Sequence, residues 1–238
     1  MQVVVTWSGG KDSCFALYKA MLEIHHISYL LNFTLVDRPS YHGSPELIRA
    51  QSQAIGIPLI QKEANWSTYE RELKSIIRNV KQLGVQGVVF GDIHLREHRD
   101  WIERVCRQSD AQWFFPLWHM DPERTLRDFI DLGFEAIVVS AKAEFFDENW
   151  LGRKMDQRLI EDLCNRKKKL SIDLCGEFGE YHTLVTNGPI FKKQIEVLDT
   201  DTILKNGYWF LEIRKYRMIE KKNQTGSEVA DGKFPMMP

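Results

Sequence analysis

The 238-residue chain is 43% hydrophobic, 11% aromatic and 27% charged, which excludes a disordered polypeptide because the apolar fraction suffices for a core. Its formal net charge of -1 argues against a polyanionic partner, so nucleic acid is not an expected ligand. The four cysteines form no CxxC pair, so we expect free thiols and no zinc site. No apolar run is long enough to span a bilayer, so we expect a cytoplasmic protein without a membrane anchor.

Apolar and amphipathic segments alternate along the first half of the chain. Ser44 and Pro45 favour a helix start, whereas Gly56 and Gly84 favour helix ends. This alternation predicts an α/β fold with a doubly wound, parallel five-stranded sheet of the Rossmann-like class. The predicted strands are residues 3–7, 27–36, 57–61, 87–91 and 112–117, and the predicted helices are residues 13–23, 45–55 and 69–82.

The pattern restarts after Pro116 and predicts a smaller C-terminal α/β domain that binds the substrate. Its elements are a helix at 122–132, a strand at 134–140, a helix at 155–166 and strands at 194–203 and 208–218. The residues beyond 220 are polar and unpatterned. We therefore expect an ATP-binding domain at 1–117, a substrate domain at 118–219 and a flexible tail at 220–238.

A phosphate-binding loop is predicted where the first strand ends. The sequence SGGKDS at residues 8–13 joins this strand to the first helix, at the edge of the sheet where α/β proteins bind ligands. Gly9 and Gly10 let successive backbone amides converge on an anion, and the helix N-terminus adds partial positive charge. Lys11 supplies a full charge.

Three further side chains of this loop fit the same purpose. The hydroxyls of Ser8 and Ser13 can donate hydrogen bonds to phosphate oxygens, and Asp12 can hold Mg²⁺ against the phosphate chain. The spacing differs from the Walker A pattern, which disfavours a kinase or GTPase. A tight turn with a solvated lysine is the alternative without function, but the strand-to-helix context favours a phosphate site.

The SGGKDS segment resembles the signature of the PP-loop ATP pyrophosphatases. The resemblance implies an adenine nucleotide alpha hydrolase-like fold, with ATP and Mg²⁺ bound at residues 8–13. It also implies attack at the α-phosphorus, so that AMP and pyrophosphate are the products.

A second motif, DLCGEFGEYHTLVTNGPIF, occupies residues 173–191. Glu177 and Glu180 lie around Gly179, and Tyr181 and His182 follow directly. A tight bend would direct both carboxylates into one cavity, where they could bind a cation, position ammonia or accept a proton. A regular strand would place them on opposite faces instead. The residues alone leave both alternatives open.

The CGExGEYHT segment followed by GPIF is similar to the substrate-side motif of the diphthine–ammonia ligase family. These ligases amidate the carboxylate of diphthine, a modified histidine of elongation factor 2, with ATP and ammonium. The resemblance extends over roughly residues 1–195, and two separated motifs make a chance match improbable. Its other matching segments include Gly91 with Asp92, and Trp150 with Gly152 and Arg153.

The resemblance assigns expected roles to these residues. Lys11, Asp12, Glu177 and Glu180 would be catalytic, with Glu180 handling ammonium. Gly91 and Asp92 would lie in the nucleotide crevice with residues 8–13. The substrate side would comprise Trp150, Gly152, Arg153, Glu177, Gly179, Glu180, Tyr181 and His182. Trp150, Phe178 and Tyr181 either form an aromatic cage around the quaternary ammonium of diphthine or belong to the core, as aromatic side chains of a second domain more often do.

The expected partners are ammonium and a carboxylate acceptor, which is elongation factor 2 if the organism makes diphthamide. The oligomeric state stays open, with a homodimer among the options. Two other functions also stay open: a PP-loop enzyme that modifies tRNA, and an ATP-binding sensor without turnover. Arg96 and Arg99 either contact a phosphate or begin a solvated helix. The scattered histidines are expected to be solvated or paired.

Overall fold

The computed structural model describes residues 1–23, 26–37 and 40–221 of the chain. These residues form a five-stranded sheet and a four-stranded sheet. No helix among them is long and apolar enough to cross a membrane. The predicted tail, apart from its first two residues, lies outside the described residues.

The first sheet is parallel and doubly wound, as predicted. Its strands are β1 (Gln2–Thr6), β2 (His26–Leu35), β3 (Leu59–Ala64), β4 (Gly87–Val89) and β5 (Gln112–Phe114). Their order is β3-β2-β1-β4-β5, and every neighbouring pair is parallel. Val3, Val4 and Val5 are β-branched and fully buried, which suits β1 to the centre of a sheet that is covered on both faces.

Helices cover the two faces of this sheet. On one face α1 (Lys11–Leu22) and α2 (Pro45–Ile55) pack with Val3 and Val5, and on the other α3 (Tyr69–Gln82) and α4 (Arg96–Gln108) pack with Val4. Helices α2 and α3 have the predicted bounds. The Ser44 hydroxyl caps α2 by accepting a hydrogen bond from Leu47, as its sequence suggests.

The full extent of α4 was not predicted from the sequence. Only Ile102, Val105 and Cys106 of this helix are buried, among many charged residues. Such a narrow apolar stripe gives a weak periodic signal.

The second sheet is antiparallel. It contains β6 (Glu135–Lys142), β7 (Tyr181–Asn187), β8 (Lys193–Lys205) and β9 (Tyr208–Glu220) in the order β7-β6-β9-β8. Helices α5 (Pro122–Asp131) and α6 (Gln157–Lys167) accompany it, with a short 3₁₀ helix at Glu148–Trp150. The predicted elements of this half are present. The sheet also contains β7, which lies within the second motif and is not among the predicted strands.

Helix α1 connects the two halves of the chain. Phe15 packs edge-on against Phe129 and Phe134 with ring centroids 6.1 Å and 6.3 Å away, and Tyr18 meets Phe134 at 5.5 Å. The helix that follows the phosphate loop therefore shares one hydrophobic core with the second sheet. The division into residues 1–117 and 118–219 remains a proposal, with its boundary between β5 and α5.

The strand order creates a crevice at one edge of the first sheet. The chain runs outward from β1 through β2 to β3, then returns through α3 to β4 on the other side of β1. The loops that leave β1 and β4 therefore diverge at their carboxyl ends, where open α/β sheets bind their ligands.

Candidate functional site

A cavity of about 980 Å³ opens at this crevice. Its volume lies at the upper end of the range for small-molecule sites, so it has room for a nucleotide. Seven residues predicted for the site line it: Ser8, Asp12, Ser13, Gly91, Asp92, Glu177 and His182.

The loop after β1 has the geometry of an anion cradle. Gly9 has a positive φ of 87°, which turns the chain sharply before α1 begins at Lys11. The Ser8 hydroxyl accepts a hydrogen bond of 3.2 Å from the Gly10 amide and lies 3.1 Å from the Ser13 hydroxyl. The Lys11 amide at the start of α1 donates to the Thr183 hydroxyl, whereas the amides of Asp12 and Ser13 have no partner within the helix and suit a phosphate group.

A buried glutamine, which no motif in the sequence marks, holds this loop in place. Gln51 in α2 is fully buried and donates hydrogen bonds to the carbonyls of Gly9 (2.9 Å) and Val185 (2.8 Å). Its Oε1 accepts a hydrogen bond of 3.1 Å from the indole of Trp7. The loop is therefore held by α2 and β7 together, and both elements lie far from the loop in the sequence.

Lys11 joins the two predicted motifs. Its Nζ lies 2.9 Å from Asp12 Oδ2, donates a hydrogen bond to the Cys175 carbonyl, and lies 5.0 Å from the centroid of the Tyr181 ring. Burial lowers the pKa of Lys11, but Asp12, Tyr181 and Cys175 together outweigh this effect, and the net pKa is raised. The lysine therefore stays positively charged although it is only 3% exposed.

The second motif bends before β7 begins, so the tight-bend alternative describes it. The two carboxylates nevertheless do not share a cavity. Glu177 lines the main cavity and accepts hydrogen bonds from the amides of Ile93 (2.5 Å) and His94 (2.9 Å). Glu180 is 2% exposed and accepts from the amides of Asp173 (2.7 Å) and Phe178 (3.0 Å) within its own loop.

His94 connects this motif to the loop after β4. Its Nδ1 lies 3.1 Å from Glu177 and its Nε2 lies 3.4 Å from Asp173. Burial raises the pKa of Glu177, although the amides of Ile93 and His94 lower it. The scattered histidines are expected to be solvated or paired, and His94 is paired; its position directly after the Gly91–Ile93 segment is the signal that it belongs to the site.

Trp150 and Tyr181 belong to the core, so the core alternative describes these two residues and the aromatic cage does not form. Trp150 and Tyr181 are 6% and 2% exposed, and both pack against Phe146. Phe178 is exposed and lies beside His94 instead, with 5.9 Å between the ring centroids. Hydrophobic packing has drawn two of the three rings into the core, so no open cage is left for a cation.

Three other residues predicted for the substrate side make local contacts or turns outside the cavity. Gly152 donates a hydrogen bond of 2.8 Å from its amide to the Val138 carbonyl, and Arg153 pairs with Asp162 at 2.6 Å. Gly179 has a positive φ of 81°, which the bend of the second motif requires. None of the three lines the cavity in the part of the chain that the structure describes.

His182 lies at the cavity beside a second histidine that the sequence did not single out. The ring centroids of His42 and His182 are 4.8 Å apart, and His42 Nδ1 lies 2.9 Å from the Thr183 carbonyl. Burial lowers the pKa of His42 to about 4, and burial also lowers the pKa of His182. Both rings are therefore neutral at physiological pH and are suited to hydrogen bonding rather than to charge pairing.

The arginines considered for phosphate contact do not reach the cavity. Arg96 pairs with Asp100 at 3.2 Å, and Arg99 pairs with Glu103 at 2.7 Å. The Arg99 guanidinium also stacks 4.5 Å from the Trp118 ring. The solvated-helix alternative therefore describes Arg96, whereas Arg99 packs on an aromatic surface.

Comparison with known proteins identifies relatives over most of the chain. Residues 1–112 match the family described as diphthamide synthase N-terminal domain, and residues 121–219 match diphthamide synthase C-terminal domain. The diphthine–ammonia ligase of Homo sapiens is 27% identical across 92% of this chain and 91% of its own length. That of Danio rerio is 27% identical across 96% of this chain and 99% of its own length.

A solved structure is also similar in part. It is described as a predicted subunit of tRNA methyltransferase from Methanocaldococcus jannaschii, and it aligns with a TM-score of 0.45 at 16% sequence identity. The alignment covers 79% of this chain and 98% of that one.

Proposed function

The chain belongs to the diphthamide synthase family, and from this premise we propose that it uses ATP to activate the carboxylate of diphthine and joins that carboxylate to ammonia. The family predicted from the two motifs is thereby confirmed, and so is its class, the ATP-dependent ligases. The adenylate route and the roles of individual residues are our proposals.

One observation carries the proposal: the two motifs meet at the cavity. The Lys11 amide donates a hydrogen bond of 3.0 Å to the Thr183 hydroxyl, and Glu177 binds the loop that follows β4. The nucleotide side and the acceptor side are thus held together, as a reaction between ATP and a second substrate requires.

We assign two chemical steps. A carboxylate oxygen of diphthine attacks the α-phosphorus of ATP, and the bond between the α-phosphorus and the bridging oxygen breaks to release pyrophosphate. Ammonia then attacks the acyl carbon, AMP leaves with the original carboxylate oxygen, and the nitrogen loses a proton. In the first step the cradle at residues 8–13 would stabilise the charge on the departing pyrophosphate.

Glu177 and Glu180 take different roles in this proposal. Glu177 lines the cavity and is the carboxylate that we assign to the acceptor and ammonium side. Glu180 is enclosed by its own loop, so we assign it to positioning the bend that presents Glu177.

Mg²⁺ fits this site only together with the nucleotide. Within the described ranges, no three His, Cys, Asp or Glu side chains are placed to hold a metal ion by themselves. Burial raises the pKa of Asp12 and Lys11 lowers it, while the nearby charges of Asp173 and Asp92 raise it further; a second cation would favour the charged carboxylate. Mg²⁺ commonly takes one or two carboxylates plus phosphate oxygens, so we propose that Asp12 holds it with Asp92 nearby.

The proposed acceptor is elongation factor 2 that carries diphthine. Such a factor acts in the cytoplasm, so we propose this location for the enzyme as well. A homodimer is the oligomeric state that we propose to test, and size-exclusion chromatography with light scattering would measure it.

An isotope experiment tests the proposed route. The protein is incubated with ATP, Mg²⁺, ammonium and elongation factor 2 whose diphthine carboxylate contains ¹⁸O, and the nucleotide products are analysed by mass spectrometry. We expect AMP and pyrophosphate, with one ¹⁸O atom in the phosphate of AMP. Omission of ammonium should still permit exchange of labelled pyrophosphate into ATP.

Two outcomes would contradict the proposal. Release of ADP would place the attack at the γ-phosphorus. AMP without ¹⁸O, formed as the acceptor is amidated, would exclude the acyl-adenylate.

A further inference from the structure

A row of aromatic side chains lines the cavity on the side of α3 and α4. Tyr69 lies between Trp66 and Trp101, with ring centroids at 6.1 Å and 5.8 Å. Phe33 supports Tyr69 from β2 at 4.5 Å. Neighbouring rings are tilted by 32° and 37°, so Trp66, Tyr69 and Trp101 form a continuous surface, which we call the aromatic wall.

The cavity in front of this wall is acidic. Among the described residues that line it there is no lysine or arginine, whereas five lining residues are carboxylic acids: Asp12, Glu70, Asp92, Glu97 and Glu177. Glu70 Oε2 accepts a hydrogen bond of 2.9 Å from the Trp101 indole. Its charge is compensated by Lys74 and Arg104, and that of Asp12 by Lys11, so Asp92, Glu97 and Glu177 set the sign of the field. A cation is favoured here over a neutral ring system.

The aromatic wall is continuous with the phosphate loop. A Cβ atom at Gly91 would lie 3.0 Å from backbone atoms of Asp12 and Ser13, so the loop after β4 touches the cradle. The next residue, Asp92, is hydrogen-bonded to His98, whose ring stacks on Trp101 at 5.5 Å. A ligand on the wall is therefore within reach of a nucleotide whose phosphates occupy the cradle.

From these observations we infer that the aromatic wall binds the quaternary ammonium group of diphthine. This inference rests on the proposed function and assigns the cation to Trp66, Tyr69 and Trp101, instead of the cage considered at Trp150 and Tyr181. A quaternary ammonium has no N–H group to donate, so aromatic faces beside carboxylates are its natural partners. Its binding there would hold the neighbouring carboxylate of diphthine toward the α-phosphate.

A binding experiment tests the wall without catalysis. Saturation-transfer NMR is recorded on the nucleotide-free protein with choline, and with its neutral isostere 3,3-dimethylbutan-1-ol. We expect choline to bind at least about threefold more tightly than the isostere, as a cation over aromatic rings should. Equal binding of both probes would overturn the inference.

Variants locate the binding site. Trp101→Leu and Trp66→Ala should each weaken choline binding, and the second variant removes a side chain that is 64% exposed. Phe178→Leu is the matched control, because this exposed ring lies outside the cavity lining and should leave choline binding unchanged. Loss of binding in Phe178→Leu but not in the wall variants would overturn the inference.

Kinetics separate this inference from the proposed function. With elongation factor 2 that carries diphthine, Trp66→Ala should raise the KM for the acceptor by about fivefold and leave the KM for ATP unchanged. A rise in the KM for ATP alone would assign the wall to adenine and overturn the inference. If the unaltered protein binds choline at the wall but forms no AMP with this acceptor, the proposed function fails while the cation site stands.

Discussion

The backbone amide of Lys11 donates a hydrogen bond of 3.0 Å to the hydroxyl of Thr183, a residue 172 positions later in the chain. The Val185 amide similarly donates to the Gly9 carbonyl at 3.0 Å. The phosphate loop is thus fixed by a strand of the second sheet as well as by its own helix. Changes in either half of the chain should therefore alter nucleotide binding.

Lys11→Met should abolish most of the pyrophosphate release. Lys11 does not line the cavity, but it places a full positive charge in the loop that would hold the departing pyrophosphate, and loss of such electrostatic stabilisation lowers rates by about 10²- to 10³-fold. The variant also leaves Asp12 and the Cys175 carbonyl without their partner, so a loss of about 1–3 kcal/mol in the free energy of unfolding is expected. Lys19→Met in the same helix is the control, and pyrophosphate release at saturating ATP is the measurement. Equal rates in the two variants would refute the assigned role of Lys11.

Gly9→Ala should destabilise the protein more than Gly133→Ala. Both glycines have positive φ angles, 87° and 82°, so alanine at either position costs about 1–2 kcal/mol in backbone strain. A Cβ at Gly9 would also lie 2.5 Å from Gln51 and Ile48, whereas one at Gly133 would meet nothing within 4 Å. We expect an additional loss of about 1–3 kcal/mol for Gly9→Ala, measured by urea unfolding. Equal losses would show that the loop is not tightly packed.

Glu177→Gln and Glu180→Gln should have different effects. In Glu180→Gln an amide replaces a buried carboxylate that accepts two backbone hydrogen bonds, so the free energy of unfolding should fall by about 1–3 kcal/mol. Its KM for ammonium should stay close to that of the unaltered protein. In Glu177→Gln we expect the turnover with acceptor and ammonium to fall by at least about tenfold, because a cavity carboxylate is lost. A raised KM for ammonium in Glu180→Gln alone would restore the sequence-based assignment.

Stability should fall as the pH is lowered from about 6.5 to about 4, partly because of His42. Burial lowers the pKa of His42 to about 4, below the ordinary value of 6.5 that applies to the unfolded chain. Within this window the unfolded chain binds a proton at His42 that the folded chain does not bind, so the free energy of unfolding rises with pH. The contribution of His42 is fully present above about pH 6.5. The expected contribution is on the order of 3 kcal/mol.

Urea unfolding of His42→Gln at several pH values checks this prediction. The variant should show a smaller fall in stability between pH 6.5 and 4, whereas His26→Gln, which alters an exposed histidine, should behave like the unaltered protein. The same pH dependence in His42→Gln would exclude a role for this histidine.

Local sequence signals predicted the elements of the nucleotide side well. The bounds of α2 follow from the Ser44 cap and from Gly56, which adopts a left-handed conformation at the helix end. The valines of β1 and the glycines of the loop define a buried strand followed by a turn. These features depend on neighbours within a few residues, which a sequence displays directly.

The partners of the site could not be predicted in the same way. Gln51 binds the phosphate loop from α2. The packing of α3 beside α4 assembles the aromatic wall, in which Trp66 and Trp101 are 35 positions apart. Nothing in the local pattern around Glu180 distinguishes a carboxylate that faces a cavity from one that is enclosed by its own loop. Such placements depend on tertiary packing, whereas spacing along the chain constrains only local geometry.

The tie between Lys11 and Thr183 also bears on how the protein matures during translation. Thr183 in β7 follows Lys11 by 172 positions, so the phosphate loop leaves the ribosome well before β7 does. Contacts between such distant segments form late in folding. A nascent chain that has completed only its first sheet would hold ATP weakly, and tight nucleotide binding would begin when β7 docks.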